Sequence, residues 1–172
     1  IHPYDIVSRQ SILSKGSDFE LWIQSGNLNL TINGENQVLG TVSTEYSHIS
    51  LTIDASGNDV QYYKNGTLVT TLSYSDIGGD WTGDKWQLAA KGDTPEYFYT
   101  GLIDDVVFYN DILNTQEIQL NASPFGTGGT NIGHPDLVHY FELNEGKGTV
   151  IEDLGRENLG DGQVFNATFS VI

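Results

Sequence analysis

The sequence predicts an all-β protein, an antiparallel β-sandwich with one short helix. Apolar and polar residues alternate with a period of two through much of residues 11–72, which is typical of strands that bury one face. Short stretches containing Gly and Asn separate these segments, and no helix-period stretch of useful length precedes residue 111. Because Gly and Asn tolerate the positive φ of tight turns, the segments should form hairpins. A succession of hairpins favours a sandwich.

The first strands follow directly from this alternation. Their apolar positions are Phe19, Leu21 and Ile23, then Leu28, Leu30 and Ile32, then Ile49, Leu51 and Ile53. The turns between the first segments fall at residues 25–27 and 33–36. A further hairpin is expected from residues 59–64 and 67–72, joined at Asn65-Gly66.

Residues 101–121 should form the closing strand and the helix. A buried strand is predicted over 102–109, followed by a turn and a helix opened by a capping box of Asn114 and Glu117. Asp104 and Asp105 lie inside this apolar strand, where an uncompensated charge is costly. A cation, a basic residue or backbone N–H groups could compensate them, and the chain has only seven Lys and Arg residues. Calcium is therefore a candidate.

Composition limits the function classes. At 172 residues the chain is the size of one domain, and its 23 acidic residues give a formal net charge of −16. This charge argues against nucleic acid and anionic membrane surfaces as partners, and it suits a secreted protein in calcium-rich or salty water. There is no cysteine, and no apolar run is long enough for membrane insertion. Because the chain opens without methionine, we interpret it as a piece of a longer protein.

Several motifs resemble one known family. They are the pattern Gly-x-Ile-Asp-Asp-Val-x-x-Tyr-Asn at 101–110, QSILSKG at 10–16, YYKNG at 62–66 and LVHYFELNEGKG at 137–148. Together they resemble the laminin-G-like, concanavalin A-type jelly rolls of bacterial surface and secreted proteins. The resemblance implies a jelly-roll fold and a secreted, extracellular or cell-surface location. It leaves function open, because this fold carries binding, enzymatic and spacer modules.

The order of the motifs is rotated relative to that family. Residues 1–122 resemble the main body, 123–136 read as a Gly-rich linker, and 137–172 resemble the family's opening strands. We predict a single domain over 1–172 in which the last segment folds back to complete the sheet. The alternative is a piece cut from a tandem array. The family places further strands between its opening segment and the piece that residues 10–16 resemble, and these strands are missing here. In either case neighbouring domains of the same polypeptide could supply them.

The resemblance also implies a structural calcium ion. It assigns Asp104 as a ligand, with Asp105, Glu142 and Asp153 as further candidates, because Ca²⁺ takes six to eight oxygen ligands. Two alternatives remain: Asp104 could instead accept backbone N–H bonds, and Asp153 could form a turn through its side-chain oxygen.

No catalytic pattern is present, so we predict that the protein is not an enzyme. Hydrolases of this fold carry a Glu-x-Asp-x-x-Glu run, which the sequence lacks, and the four histidines lie in no partner motif. A lectin-like, carbohydrate-binding module of a larger adhesin is the favoured function, with a cell-surface glycan as partner. A spacer or assembly module is the alternative, and a carbohydrate-active enzyme is the least favoured.

Four aromatic residues are the candidates for ligand binding. Trp22 alternates out of phase with Phe19, Leu21 and Ile23, so it should lie on the opposite face, either stacking on a sugar or filling that face of the sandwich. The other three lie on predicted loops, where ligand contacts concentrate. They are Trp81, Tyr97 and Tyr99.

Overall fold

A computed structural model describes residues 1–78, 85–92, 96–123, 133–156 and 160–164. It confirms the all-β class, with antiparallel strands and, in the described part, a single short helix. The chain divides into two compact units, Ile1–Leu102 and Ile103–Ile172. No helix among the described residues is long and apolar enough to cross a membrane.

The first unit contains a five-stranded sheet. Its strands are β2 (Gln10–Lys15), β3 (Phe19–Gln24), β4 (Asn27–Ile32), β5 (Glu35–Thr41) and β9 (Trp86–Leu88), in the order β5-β4-β3-β2-β9. The β3–β4 turn is Ser25-Gly26, with φ of 52° and 76°, and the β4–β5 turn is Asn33-Gly34, with φ of 49° and 81°. Both hairpins are therefore two-residue turns of the kind that the sequence predicts.

A three-stranded sheet completes the main body of this unit. It consists of β6 (Ile49–Asp54), β7 (Asp59–Lys64) and β8 (Thr67–Ser73), in that order. Asn65-Gly66 forms the predicted turn, with φ of 51° and 75°. A short pair, β1 (His2–Pro3) with β10 (Gly101–Leu102), brings the two ends of the unit together.

The two sheets of the first unit pack on each other as a sandwich. The core includes the fully buried Leu28, Leu30 and Ile32 of β4 together with Tyr62 of β7, and each such side chain contributes about 1.5–3 kcal/mol by burial. The Tyr74 hydroxyl donates across the sandwich to the Leu30 carbonyl at 3.0 Å. Burial raises the pKa of Tyr62 to about 12, as expected for a phenol inside an apolar core.

The second unit contains β11 (Val106–Tyr109) paired with β12 (Leu137–Phe141), and β13 (Val150–Ile151) paired with β14 (Gly162–Gln163). The segment after the predicted linker thus finds a strand partner in the same chain. Most of the linker lies outside the described residues. That the whole chain is one jelly-roll domain stays a prediction.

The helix of this unit, α1, spans Thr115–Asn121 and follows the closing strand as predicted. Asn114 Oδ1 accepts from the backbone N–H groups of Gln116 at 2.9 Å and Glu117 at 3.1 Å. Glu117 Oε2 in turn accepts from the Asn114 N–H at 2.8 Å. The capping box is therefore confirmed, and Ile118 is the residue that the helix buries.

The predicted continuous buried strand over 102–109 is wrong. Strand β10 ends at Leu102 and β11 begins at Val106, with Asp105 at φ 50° between them. Asp104 and Asp105 lie in this break and are exposed, and β11 is only half-buried. The break removes the cost of holding two carboxylates within an apolar strand.

Candidate functional site

The five-stranded sheet has one face made of polar side chains and a tryptophan. Residues paired across antiparallel strands point to the same face, and Glu20 pairs with Ser14 and Thr31 while Trp22 pairs with Ser11 and Asn29. Ser14 pairs in turn with Gln87 of β9. We call this set the polar face; it consists of Ser11, Ser14, Glu20, Trp22, Asn29, Thr31 and Gln87.

A buried carboxylate lies at the centre of the polar face. Glu20 is 2% exposed, and its Oε2 accepts from Arg9 Nη2 at 2.8 Å and from Lys91 Nζ at 2.7 Å. The side chains of Arg9 and Lys91 are 30% and 27% exposed. A buried charge needs such partners because its desolvation is costly. In the chain, Arg9 is 11 positions and Lys91 is 71 positions away from Glu20.

Arg9 also lies between two aromatic rings. Its guanidinium carbon is 4.2 Å from the centre of the Trp22 ring and 4.6 Å from that of Tyr97. Trp22 Nε1 donates to Thr31 Oγ1 at 3.0 Å, and Tyr97 is held to β2 because its carbonyl accepts from the Ser11 N–H at 2.7 Å. Cation–π contacts of this kind contribute about 0.5–2 kcal/mol each. The guanidinium plane is therefore held on both sides.

Unpartnered polar atoms concentrate at this place. Seven buried side-chain polar atoms in the described part of the chain have no hydrogen-bond partner, and four of them belong to the polar face or to Arg9. They are Arg9 Nε, Ser11 Oγ, Glu20 Oε1 and Gln87 Oε1. Each such atom costs about 1–3 kcal/mol unless a ligand or water satisfies it. The polar face thus has unused hydrogen-bonding capacity, at atoms that are buried in this structure.

Two of the four predicted ligand-binding aromatics meet here. Trp22 lies on the opposite face from Phe19, Leu21 and Ile23, as its alternation predicts, but it is only 8% exposed because Arg9 covers it. Tyr97 is 39% exposed and offers the accessible ring.

The other two aromatics are not part of this group. The Tyr99 side chain is half-buried, with its hydroxyl 3.5 Å from the Leu102 carbonyl, and burial raises its pKa. Trp81 lies outside the described residues.

Sequence reasoning missed Arg9, Glu20 and Lys91. One signal was available for Glu20. It alternates in phase with Trp22 in a strand whose other residues are largely apolar, so it had to lie on the same face as the tryptophan. No local pattern indicated which basic residues would reach it.

The predicted metal ligands all belong to the second unit. The Tyr140 hydroxyl lies 2.8 Å from Asp105 Oδ1 and 3.3 Å from Glu142 Oε1. Although Asp104 is exposed, desolvation by the surrounding protein raises the pKa of its carboxyl, and the charges of Asp105 and Glu142 raise it further.

The carboxylate of Asp153 is engaged by donors of the protein itself. It is buried, with Oδ2 2.6 Å from His139 Nδ1, and Oδ1 accepts from the N–H groups of Tyr140 and Gly155 at 3.0 and 2.9 Å. Across the described ranges, no three His, Asp or Glu side chains are grouped so as to hold a metal ion. Calcium binding therefore stays a prediction.

Known structures share this fold. A proposed carbohydrate-binding protein of Bacteroides ovatus superposes with a TM-score of 0.71 at 16% identity, over 99% of this chain and 53% of its own. This chain thus spans about half the length of that protein. The CBM40 of a Ruminococcus gnavus IT-sialidase, bound to α2,3-sialyllactose, matches with a TM-score of 0.55 at 18% identity, over 70% of this chain and 78% of its own. The same CBM40 bound to α2,6-sialyllactose matches with a TM-score of 0.54 at 19% identity, with the same coverage.

Sequence comparison agrees with the structural likeness. No curated protein sequence matches the chain. Residues 4–119 match the family described as the concanavalin A-like lectin/glucanases superfamily, the kind of jelly roll that the motifs at 10–16, 62–66 and 101–110 resemble. The chain therefore belongs to the concanavalin A-like lectin/glucanases superfamily.

Proposed function

We propose that this protein is a carbohydrate-binding module and that the polar face, with Arg9, Lys91 and Tyr97, binds the glycan. The observation that carries the proposal is the concentration of buried, unpartnered polar atoms next to a partly exposed aromatic ring. A sugar presents hydroxyl groups at its edge and C–H groups on its ring face. It can satisfy the polar atoms and cover the aromatic ring together.

The side chains have distinct roles in this proposal. Tyr97 offers its exposed ring to the sugar face, and the exposed parts of Arg9 and Lys91 offer N–H donors to sugar oxygens. Glu20 Oε1 is an unused acceptor, and a hydroxyl group reaches it when the side chains that bury it move aside. Trp22 packs against the Arg9 guanidinium and does not touch the sugar, because the guanidinium already covers the Trp22 ring.

The setting of the module is part of the proposal. We place it outside the cell, in a secreted or surface-attached adhesin, stabilised by calcium and binding without catalysis. The charge of −16 and the surface-protein motifs of the sequence support this setting. The solved proteins that share its fold include a carbohydrate-binding module bound to sialyllactose.

A glycan array tests the proposal, screened with the folded protein in millimolar calcium and repeated in chelator. We expect selective binding, and Tyr97→Ala should weaken it by about two- to tenfold through the loss of the aromatic contact. Tyr46→Ala is the matched control, since Tyr46 is exposed by 54% and lies outside the polar face. A folded protein that binds no glycan would contradict the proposal and favour a spacer or assembly module.

A further inference from the structure

We propose that the polar face selects glycans that carry a carboxylate, an inference that rests on the proposed function above. The alternative is a neutral glycan held by hydroxyl contacts and stacking alone. Three features favour the acidic sugar: the positive charges of Arg9 and Lys91, the fixed orientation of the Arg9 guanidinium, and the unpartnered acceptor atoms of the polar face.

The distribution of charge is the first argument. The chain has only seven basic residues against 23 acidic ones, yet two of the seven converge on Glu20. Glu20 is buried beneath them and neutralises one of the two charges, and the exposed Glu96 beside Lys91 offsets the other, so the attraction comes from where the charges lie and not from a net charge. The side chains of Arg9 and Lys91 are 30% and 27% exposed, and a ligand carboxylate that contacts them directly is attracted locally.

The fixed geometry of Arg9 is the second argument. A guanidinium binds carboxylates through two parallel N–H donors, and it loses less entropy when its plane is already held. The rings of Trp22 and Tyr97 hold the plane of Arg9, and its Nη2 is tied to Glu20. Its Nε is buried and closed to solvent, so the exposed 30% of the side chain is the part that can meet a ligand. Arg9 is thus a pre-organised donor that is partly open to solvent.

The unpartnered acceptors are the third argument. Glu20 Oε1 and Gln87 Oε1 can only accept hydrogen bonds, and sugar hydroxyls are donors. A simple anion such as phosphate at neutral pH offers them few protons. A sugar acid offers both a carboxylate for the cations and hydroxyl groups for the acceptors. The combination of partners therefore fits a sugar acid better than either a small anion or a neutral sugar.

One acidic side chain opposes the preference. Glu96 lies opposite Lys91 in an isolated antiparallel bridge, with backbone N–H to carbonyl distances of 2.9 and 2.8 Å. Side chains of such a pair lie on the same side, and Glu96 is exposed. Removing its charge should strengthen the attraction between Lys91 and a ligand carboxylate.

Calorimetry or ligand-observed NMR with matched glycans tests the inference on the whole protein. The pairs are 3′-sialyllactose with lactose, tri-galacturonic acid with its methyl ester, and galactose 6-sulfate with galactose. We expect at least one carboxylate glycan to bind about tenfold or more tightly than its neutral partner, since hydrogen bonds to charged groups are the stronger ones. Equal or tighter binding of the neutral partners would overturn the inference and leave the proposed function standing. A preference for the sulfate alone would also overturn it, and no binding of any glycan would overturn both proposals.

Variants assign the preference to the cations. Lys91→Gln and Arg9→Gln should each reduce the preference for the acidic glycan by about threefold or more, while Lys64→Gln, on the other sheet, should leave it unchanged. Glu96→Gln should increase it. Thermal unfolding of each variant checks that the protein is folded, and Lys91→Gln keeps the test valid if loss of Arg9 prevents folding. A preference that persists in Lys91→Gln and does not rise in Glu96→Gln would refute the electrostatic argument.

Discussion

Replacing Glu20 with glutamine tests whether the buried ion cluster stabilises the first unit. The carboxylate accepts hydrogen bonds from Arg9 at 2.8 Å and Lys91 at 2.7 Å. Each is a hydrogen bond between charged groups, which contributes about 1.5–3 kcal/mol against about 0.5–1.5 kcal/mol for a neutral one. The amide of glutamine keeps the shape, and its carbonyl oxygen can accept from both cations as Glu20 Oε2 does. The substitution therefore weakens two hydrogen bonds by removing the negative charge, and it removes neither bond.

The exposure of the two cations reduces this cost. Because Arg9 and Lys91 reach solvent, water can hydrate them once the carboxylate is gone, and the substitution also relieves the desolvation of Glu20. We expect Glu20→Gln to lower the free energy of unfolding by about 1–3 kcal/mol, which corresponds to a fall in Tm of about 2–12 °C for a protein of this size.

Calorimetry or circular dichroism measures the change. Glu45→Gln is the control, because Glu45 is exposed and makes no ion pair among the residues that the structure describes; its effect should stay within about 0.5 kcal/mol. A Glu20→Gln protein as stable as the control would refute the view that the cluster holds the polar face together.

Two further predictions concern the second unit. Burial by itself raises the pKa of Asp153, but the hydrogen bonds from His139, Tyr140 N–H and Gly155 N–H outweigh it and hold the pKa below the usual 3.8. A carboxyl with a lowered folded-state pKa stabilises the protein above its unfolded pKa and loses that contribution as the pH falls. The free energy of unfolding should thus fall as the pH is lowered from about 5 through 4 and below. The Asp153→Asn variant should show a smaller fall over the same pH range. An equally steep fall in the variant would be evidence against a stabilising role of the Asp153 carboxylate. If calcium binds only the native protein, EDTA should lower the Tm and added calcium should restore it. An unchanged melt in chelator would remove calcium from the proposal.

The candidate site was predictable only in part. The alternation in β3 placed Trp22 on the polar face, and the sequence also predicted Tyr97 as a binding residue. Their meeting through Arg9 was not predictable, because Arg9 and Tyr97 are far apart in the chain and their contact depends on the packing of a loop on β2. The break at Asp104 and Asp105 was missed for a related reason, since the apolar pattern on both sides reads as one strand.

The sequence by itself determined the local structure of this protein. Turns such as Ser25-Gly26 and Asn65-Gly66 need a positive φ that their own residues favour, and the cap at Asn114 uses donors within its own first turn. The tertiary structure alone decided that Glu20 is buried between Arg9 and Lys91 and that Trp22 is covered. These features depend on strand register and on contacts between distant segments. Local backbone preferences and alternation carry no information about such contacts.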